Sequence, residues 1–380
     1  MNGTAGDLDQ VRALAETFRE SAITHDRDAT FPHAHFARLC DAGLLGLVTP
    51  ERYGGGGIGL ARAAGIVRVI AHACPATALV LSMQYLFHNA LTQNPRWPQA
   101  MAEKIGRDAV EKGALINALR VEPELGTPAR GGMPATVAHR VADGWALSGR
   151  KIYCTGVPGL SWMQVWARTD EAEPRLGSFM VPTGIPGMRV IETWDHLGLR
   201  ASGSHDVVFE NAVIPADYAV DVRPPQEWRG REATVAQWNV ALISAVYTGV
   251  AEAARDWLKG FLHARVPTGL GASLATLPRM QEAMGRIEAR LLVNDRLLGV
   301  LADQAAAGVP ANLTEVDLLK VVMADNAIEA VQEAVSLCGN HALARANPLE
   351  RHLRDVLCAR IHTPQADSAH IAAGRARLGV

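Results

Sequence analysis

The sequence predicts a mostly α protein in three parts. An N-terminal α-helical domain covers residues 1–114, a middle β-barrel-like domain covers 115–222, and a C-terminal four-helix bundle covers 223–380. Three observations carry this prediction. Apolar residues recur at helical spacing through the first third of the chain. Short alternating segments punctuated by Pro and Gly begin near residue 115. Long helical patterns return after Pro224-Pro225. Strands grouped between two helical blocks, with no βαβ alternation, exclude a Rossmann arrangement.

The first helix follows from Val11, Leu14, Ala15, Phe18 and Ala22, spaced for one helical face. FARLCDAGLLGLVTPERYGGGGIGL, starting at Phe36, reads as a helix ending near Gly43 and a glycine-rich loop after Pro50. Residues 60–91 are alanine-rich, without strand alternation, and read as a buried helix pair divided near Pro75. In TVAHRVADGWALSGRKIYCTG, Ala142-Asp143-Gly144 sits between two alternating runs and predicts a hairpin. SWMQVWART, GSFMVP, MRVIETW and HDVVFENAVIP read as further strands. Three long helical patterns follow, starting near Ala233, Pro278 and Thr314, with a shorter fourth over 349–360. Pro364 should stop or kink that last helix, which leaves His362 and Thr363 at its terminus.

Composition narrows the function classes. The 380 residues are 48% apolar and 20% charged, with a formal net charge of −2. No basic run marks a nucleic-acid surface. No apolar run reaches the roughly 20 residues that span a bilayer, and the N-terminus lacks the pattern of a secretory signal. Cys40, Cys74, Cys154, Cys338 and Cys358 are odd in number and scattered, which argues against disulfides and a metal site and for a cytoplasmic protein.

Six segments, in order along nearly the whole chain, resemble motifs of the acyl-CoA dehydrogenase superfamily of flavoproteins. They are RLCDAGLLGLVTPERYGGGGIG, VEPELGTPARGG, GRKIYCTGV, HLGLRASGSHDVVFENAVIP, ARVPTG and CGNHALARANPLERHLRD. The resemblance implies FAD, with FMN as the alternative, lying between the β-domain and the last bundle. It implies main-chain contacts to the flavin from Glu122, Gly126 and Thr127, with Tyr153 and Thr155 beside the ring. It implies that Arg265 meets the flavin pyrophosphate from a neighbouring subunit, with Gly269 and Gly339 at the matching turns. A guanidinium suits phosphate because it binds it bidentately. A homotetramer built from dimers follows from the same resemblance. Ser204-His205-Asp206 is read as a structural turn, because three chain neighbours cannot form a hydrolase relay.

The resemblance fails at one point. The family's dehydrogenases remove an α-proton with a glutamate, and both positions where that base is expected are empty. They hold His362-Thr363 and Asn239-Val240. Three readings stay open. The first is an FAD oxidoreductase acting on an acyl-CoA or related substrate with a displaced base, His362 being the first candidate. Its electron acceptor would be an electron-transfer flavoprotein. The second is a monooxygenase fed by reduced flavin from a flavin reductase, resembling dibenzothiophene monooxygenase, with His88 and His362 as proton donors. The third is a non-catalytic relative. Trp238, Asn239 and Thr363 are the expected substrate contacts. Each of these residues also has a plainer reading, as core packing for Trp238 or a helix-end histidine for His362.

Overall fold

The computed structural model describes residues 7–125, 132–228 and 231–380. Six helices come first: α1 (Leu8–Glu16), α2 (Arg19–Asp28), α3 (His33–Asp41), α4 (Leu60–Ala73), α5 (Pro75–Gln93) and α6 (Gln99–Lys112). Pro75 does not interrupt a helix. It begins α5, where a proline has no intrahelical N–H bond to lose. Gly113, at φ 66°, closes α6 in the left-handed conformation that glycine adopts without strain.

The strands β1 (Leu115–Leu119), β2 (Val137–Val141), β3 (Gly144–Lys151), β4 (Leu160–Thr169), β5 (Leu176–Pro182), β6 (Met188–Ile191), β7 (Asp206–Pro215) and β8 (Ala219–Arg223) form one sheet. Its order is β6-β7-β3-β2-β4-β5-β8, with β1 parallel to β4. The hairpin read at Ala142-Asp143 forms, with Val141 opposite Gly144. The strand expected over MRVIETW stops at Ile191, because Thr193 and Trp194 give their backbone N–H groups to His205 Nδ1 rather than to a ladder.

The C-terminal part contains α7 (Ala233–Ala264), α8 (Pro278–Ala306), α9 (Leu313–Cys338), the short α10 (Asn340–Leu343), α11 (Leu349–Leu357) and α12 (Ala366–Leu378). Glu232 caps α7 by accepting from Thr234 N–H and Val235 N–H, and Asn312 caps α9 in the same way. Neither α10 nor α12 was foreseen as a separate helix. Ala369 is the one buried residue of α12, so its sequence carries almost no amphipathic stripe. No helix among the described residues is long and apolar enough to cross a membrane.

α7 is the common wall of the molecule. It packs on α4 and α5 on one side and on α8, α9 and α11 on the other. One apolar cluster joins the N-terminal helices, the sheet and the first half of α7. A second fills the bundle around Tyr247, Val250, Leu258 and Ile328. Gly249 allows α4 and α7 to approach closely. A Cβ there would lie 2.5 Å from the Arg68 carbonyl oxygen and 2.8 Å from Ala71 Cβ. Arg68 then reaches across the seam to Glu252 and to Asp295.

This close approach decides the sign of a substitution. Alanine is favoured over glycine in a helix by about 1 kcal/mol, whereas overpacking costs about 1–3 kcal/mol. Gly249→Ala is expected to lower the urea midpoint. Gly260→Ala, on the same helix with open space around it, is expected to raise it slightly. Equilibrium unfolding of the two variants checks both signs.

Candidate functional site

The wall of the site is built where β3 leaves the sheet. Ile152 N–H donates to Val121 O, Cys154 N–H to His205 O and Gly156 N–H to Ser202 O. These bonds hold Tyr153 at φ 57°, left-handed and strained for a non-glycine residue. The residue is 54% exposed, although an aromatic side chain gains by burial. Strain and exposure at one residue are what a ligand platform shows. Beside it, Thr155 Oγ1 accepts from Ser204 Oγ at 3.1 Å, and Ser204 in turn pairs with Ser202 at 2.8 Å. An exposed ring flanked by hydroxyl groups fits a flat heteroaromatic group with a polar edge.

The sequence missed two neighbours of this wall. Trp194 and His196 stack with ring centroids 3.6 Å apart, and Tyr153 stands edge-on to both. A tryptophan and a histidine within an otherwise polar stretch, ETWDHLG, were the available signal. Ser204, His205 and Asp206 form no relay. His205 Nδ1 accepts two backbone N–H bonds, while Asp206 pairs with Arg150 at 2.5 Å.

A second cluster forms at the turn after α11. His362 is half-buried, and its Nδ1 lies 2.6 Å from the Tyr247 hydroxyl. Burial pushes the phenol well above its usual range, so it stays protonated. A protonated phenol can donate to Nδ1, and in that tautomer the ring proton sits on Nε2; the Cys358 backbone also accepts from the ring. Burial first, and the Lys320 charge second, lower the imidazole to about 4. His362 is therefore neutral at physiological pH and offers an N–H. Asn239 Nδ2 donates to Thr363 O at 3.2 Å, which brings Asn239, Thr363 and His362 to one edge. Residues 358–365 contain no aspartate or glutamate.

The wall and this cluster are joined by one loop. Trp194 donates its indole N–H to Leu199 O, and Leu199 N–H donates to Asp355 Oδ1 at 2.7 Å. Arg354 reaches Leu197 O at 2.9 Å and holds Asp26 at 2.6 Å, so the Arg-Asp pair of α11 docks the loop and the N-terminal helices together.

Other expected residues stand elsewhere. His88 is corrected as a proton donor. It is 1% exposed, with Nδ1 bonded to Thr49 and Nε2 to Gln84, and burial lowers it to about 4. Neither nitrogen is left for a ligand. Trp238 lies in the main core at 6% exposure, which favours core packing, its plainer reading. The Glu122 carboxylate belongs to an internal pair with Lys151 at 2.6 Å, and it also accepts from Ala135 N–H, Thr136 N–H and Thr136 Oγ1. Burial opposes its charge, but Lys151 and Thr136 outweigh that and hold the carboxyl below its usual range. Only the main chain of Glu122 remains for a cofactor. Gly126 and Thr127 lie outside the described residues. Arg265 and Gly269 are exposed beyond the end of α7, and Gly339 ends α9 at φ 55°. Phe261 packs on His341, so these three residues share one end of the bundle. Helical rise puts that end roughly 27 Å along α7 from Tyr247.

Comparison with known proteins agrees with this layout. Family profiles described as the N-terminal, middle and C-terminal domains of acyl-CoA dehydrogenase match residues 8–95, 120–212 and 241–365. YdbM of Bacillus subtilis, whose name places it with the acyl-CoA dehydrogenases, is 30% identical over 366 residues, covering 96% of this chain and 94% of its own. L-evernosamine nitrososynthase of a Micromonospora species is 30% identical over 375 residues, covering 92% and 84%. The structure of KijD3 with FMN and dTDP-3-amino-2,3,6-trideoxy-4-keto-3-methyl-D-glucose superposes with a TM-score of 0.84 at 30% identity, covering 100% of this chain and 95% of that one.

The buried pair beneath the wall yields a stability prediction. Lys151→Met leaves the Glu122 carboxylate, 1% exposed, without its cation. Breaking such a pair costs about 3–5 kcal/mol. The double variant with Glu122→Gln is expected to recover part of this loss, as measured by urea unfolding.

Proposed function

The chain belongs to the acyl-CoA dehydrogenase family of flavin oxidoreductases, and from that premise we propose that it is a flavin-dependent monooxygenase rather than a dehydrogenase of acyl thioesters. One observation carries the reading. Where α-proton removal needs a carboxylate, the site offers a neutral imidazole whose Nδ1 is taken by Tyr247. Such a group donates a hydrogen bond well and abstracts a carbon-bound proton poorly. Flavin, when bound, supplies hydride acceptance or, once reduced, the activation of dioxygen. Oxygen transfer requires no α-proton base, and a neutral His362 can hydrogen-bond to oxygen held at the flavin without giving up its proton.

The cofactor reading is FAD, with FMN as the alternative. Tyr153 and Thr155 would hold the ring, and the main chain at Glu122, Gly126 and Thr127 would meet its edge. Arg265, Gly269 and Gly339 sit together at the far end of the bundle, roughly 27 Å along α7 from Tyr247. Their position supports an assembly in which a second subunit completes the site, in the notional form of a tetramer built from dimers. Leu292, Val293, Val300 and Val322 are exposed apolar residues on α8 and α9 that such an assembly would cover. Asn239 and Thr363 would touch the substrate. Similarity to the nitrososynthase and to KijD3 supports an amine-bearing small molecule, with electrons from a flavin reductase. The five unpaired thiols support a reducing, cytoplasmic setting.

The second reading, an acyl-CoA dehydrogenase with His362 as a displaced base and an electron-transfer flavoprotein as acceptor, is favoured by the equal identity to YdbM. Two assays separate them. Reduced flavin, dTDP-amino sugars and isotopically labelled dioxygen are expected to give a labelled product by mass spectrometry, while short acyl-CoAs leave the oxidised flavin spectrum unchanged without oxygen. Bleaching by an acyl-CoA with no labelled product would select the dehydrogenase. His362→Ala is expected to lower turnover by about 10²–10⁴-fold with flavin retention unchanged. Light scattering of the flavin-loaded protein is expected to give a tetramer, and a fully loaded monomer would contradict the shared site.

A further inference from the structure

Lys320 is the one lysine on the buried stripe of α9. It lies in register with Val316, Met323 and Ala327, at positions where the helix otherwise places apolar side chains. It is 2% exposed. Its Nζ donates to Ala359 O at 2.7 Å and to His362 O at 2.6 Å. Among the described residues no carboxylate lies within ion-pair distance of it. Asp317, one turn earlier, is paired with Arg231, and Asp325 and Asp317 both act on Lys320 only at longer range.

A buried ammonium without a counter-charge is costly, and an aliphatic residue would fill the same space at no such cost. What offsets the cost is the pair of charge-assisted bonds to carbonyl groups left open where α11 ends. Those carbonyls belong to the turn that carries His362. We propose that Lys320 is a positioning residue of the candidate site, pinning the turn from Ala359 to His362 so that the imidazole meets the Tyr247 hydroxyl.

The clamp has three points on a short stretch of chain. Lys320 from α9 holds the backbone at Ala359 and His362. Tyr247 from α7 holds the ring. Asn239, also from α7, holds Thr363 O. Only the Lys320 contacts are charged, and removing them strands two carbonyls. The ammonium has a second effect through space, because a cation beside the imidazole disfavours its protonation. The groups facing this pair are Asp317 and Asp325 from α9 itself, Tyr247 and Asn239 from α7, and the Cys358 backbone from the turn. The proposal rests on the reading that the His362 edge is where the flavin chemistry occurs, so its test needs readouts that do not depend on turnover.

Two measurements on the flavin-free full chain supply them, each for wild type, Lys320→Met and Lys320→Arg. Amide hydrogen exchange is followed by mass spectrometry. The pH dependence of acylation of His362 by diethyl pyrocarbonate is read on its peptide. For Lys320→Met, exchange over 358–365 is expected to rise at least about tenfold, as loss of charged hydrogen bonds predicts, with the rest of the chain unchanged. The acylation midpoint is expected to move up toward the ordinary histidine range. Lys320→Arg keeps the charge, so its midpoint is expected to stay near that of wild type. It also preserves the test if the methionine variant does not fold. Unchanged exchange over 358–365, or a midpoint that ignores the charge, would overturn the positioning role whatever the protein's reaction. If both readouts move as expected but turnover of the loaded enzyme is unaffected by Lys320→Met and by His362→Ala, the functional reading has failed and the proposal falls with it.

Discussion

The hydrogen bond from Leu199 N–H to the Asp355 carboxylate holds the site together. It joins the loop that carries Trp194 and His196 to the helix that leads into His362. Both residues are buried, so the bond forms away from water, where an unpaired partner would be costly. Burial pushes the Asp355 carboxyl up to about 6, and the nearby Arg351 opposes that rise. The Leu199 bond and this charge offset the desolvation. Arg354 completes the junction by gripping Asp26 of the N-terminal helices. Three layers therefore meet at the segment RHLRD, which ties the Trp194 loop to the helix leading into His362.

Much of the architecture was legible in the sequence because local rules and global fold agree. The hairpin at Ala142-Asp143 follows from turn chemistry between alternating strands, and the sheet pairs Val141 with Gly144 as that chemistry requires. The long helices α7, α8 and α9 follow from apolar period alone. α12 was not legible, because a helix that buries one alanine leaves no periodic signal. The strand read through MRVIETW ran too far, since a histidine eleven or twelve residues on takes the backbone donors that would have continued it. Such a bond has no signature in local sequence.

The site was legible at the level of its missing base and not at the level of its contacts. The absence of a carboxylate at His362-Thr363 could be read directly. That His362 pairs with Tyr247 could not, because the partners are far apart in sequence and α7 gives both Trp238 and Tyr247 the look of core residues. His88 was misplaced for the same reason in reverse. A polar or aromatic residue on a buried face can be satisfied internally, and His88 is, on both ring nitrogens. The lysine within the apolar stripe of α9 was the one signal that such a face also serves a site.

The central claim is that this site presents a hydrogen-bond donor and no base for carbon-bound protons. Exchange of the α-hydrogens of an acyl-CoA in deuterium oxide tests it most directly, with the flavin-loaded enzyme and without oxygen, since wash-in reports proton abstraction whether or not the flavin is reduced. No α-deuterium above the buffer blank is expected. Enzyme-dependent wash-in that disappears in His362→Ala would contradict it and assign His362 the role of base.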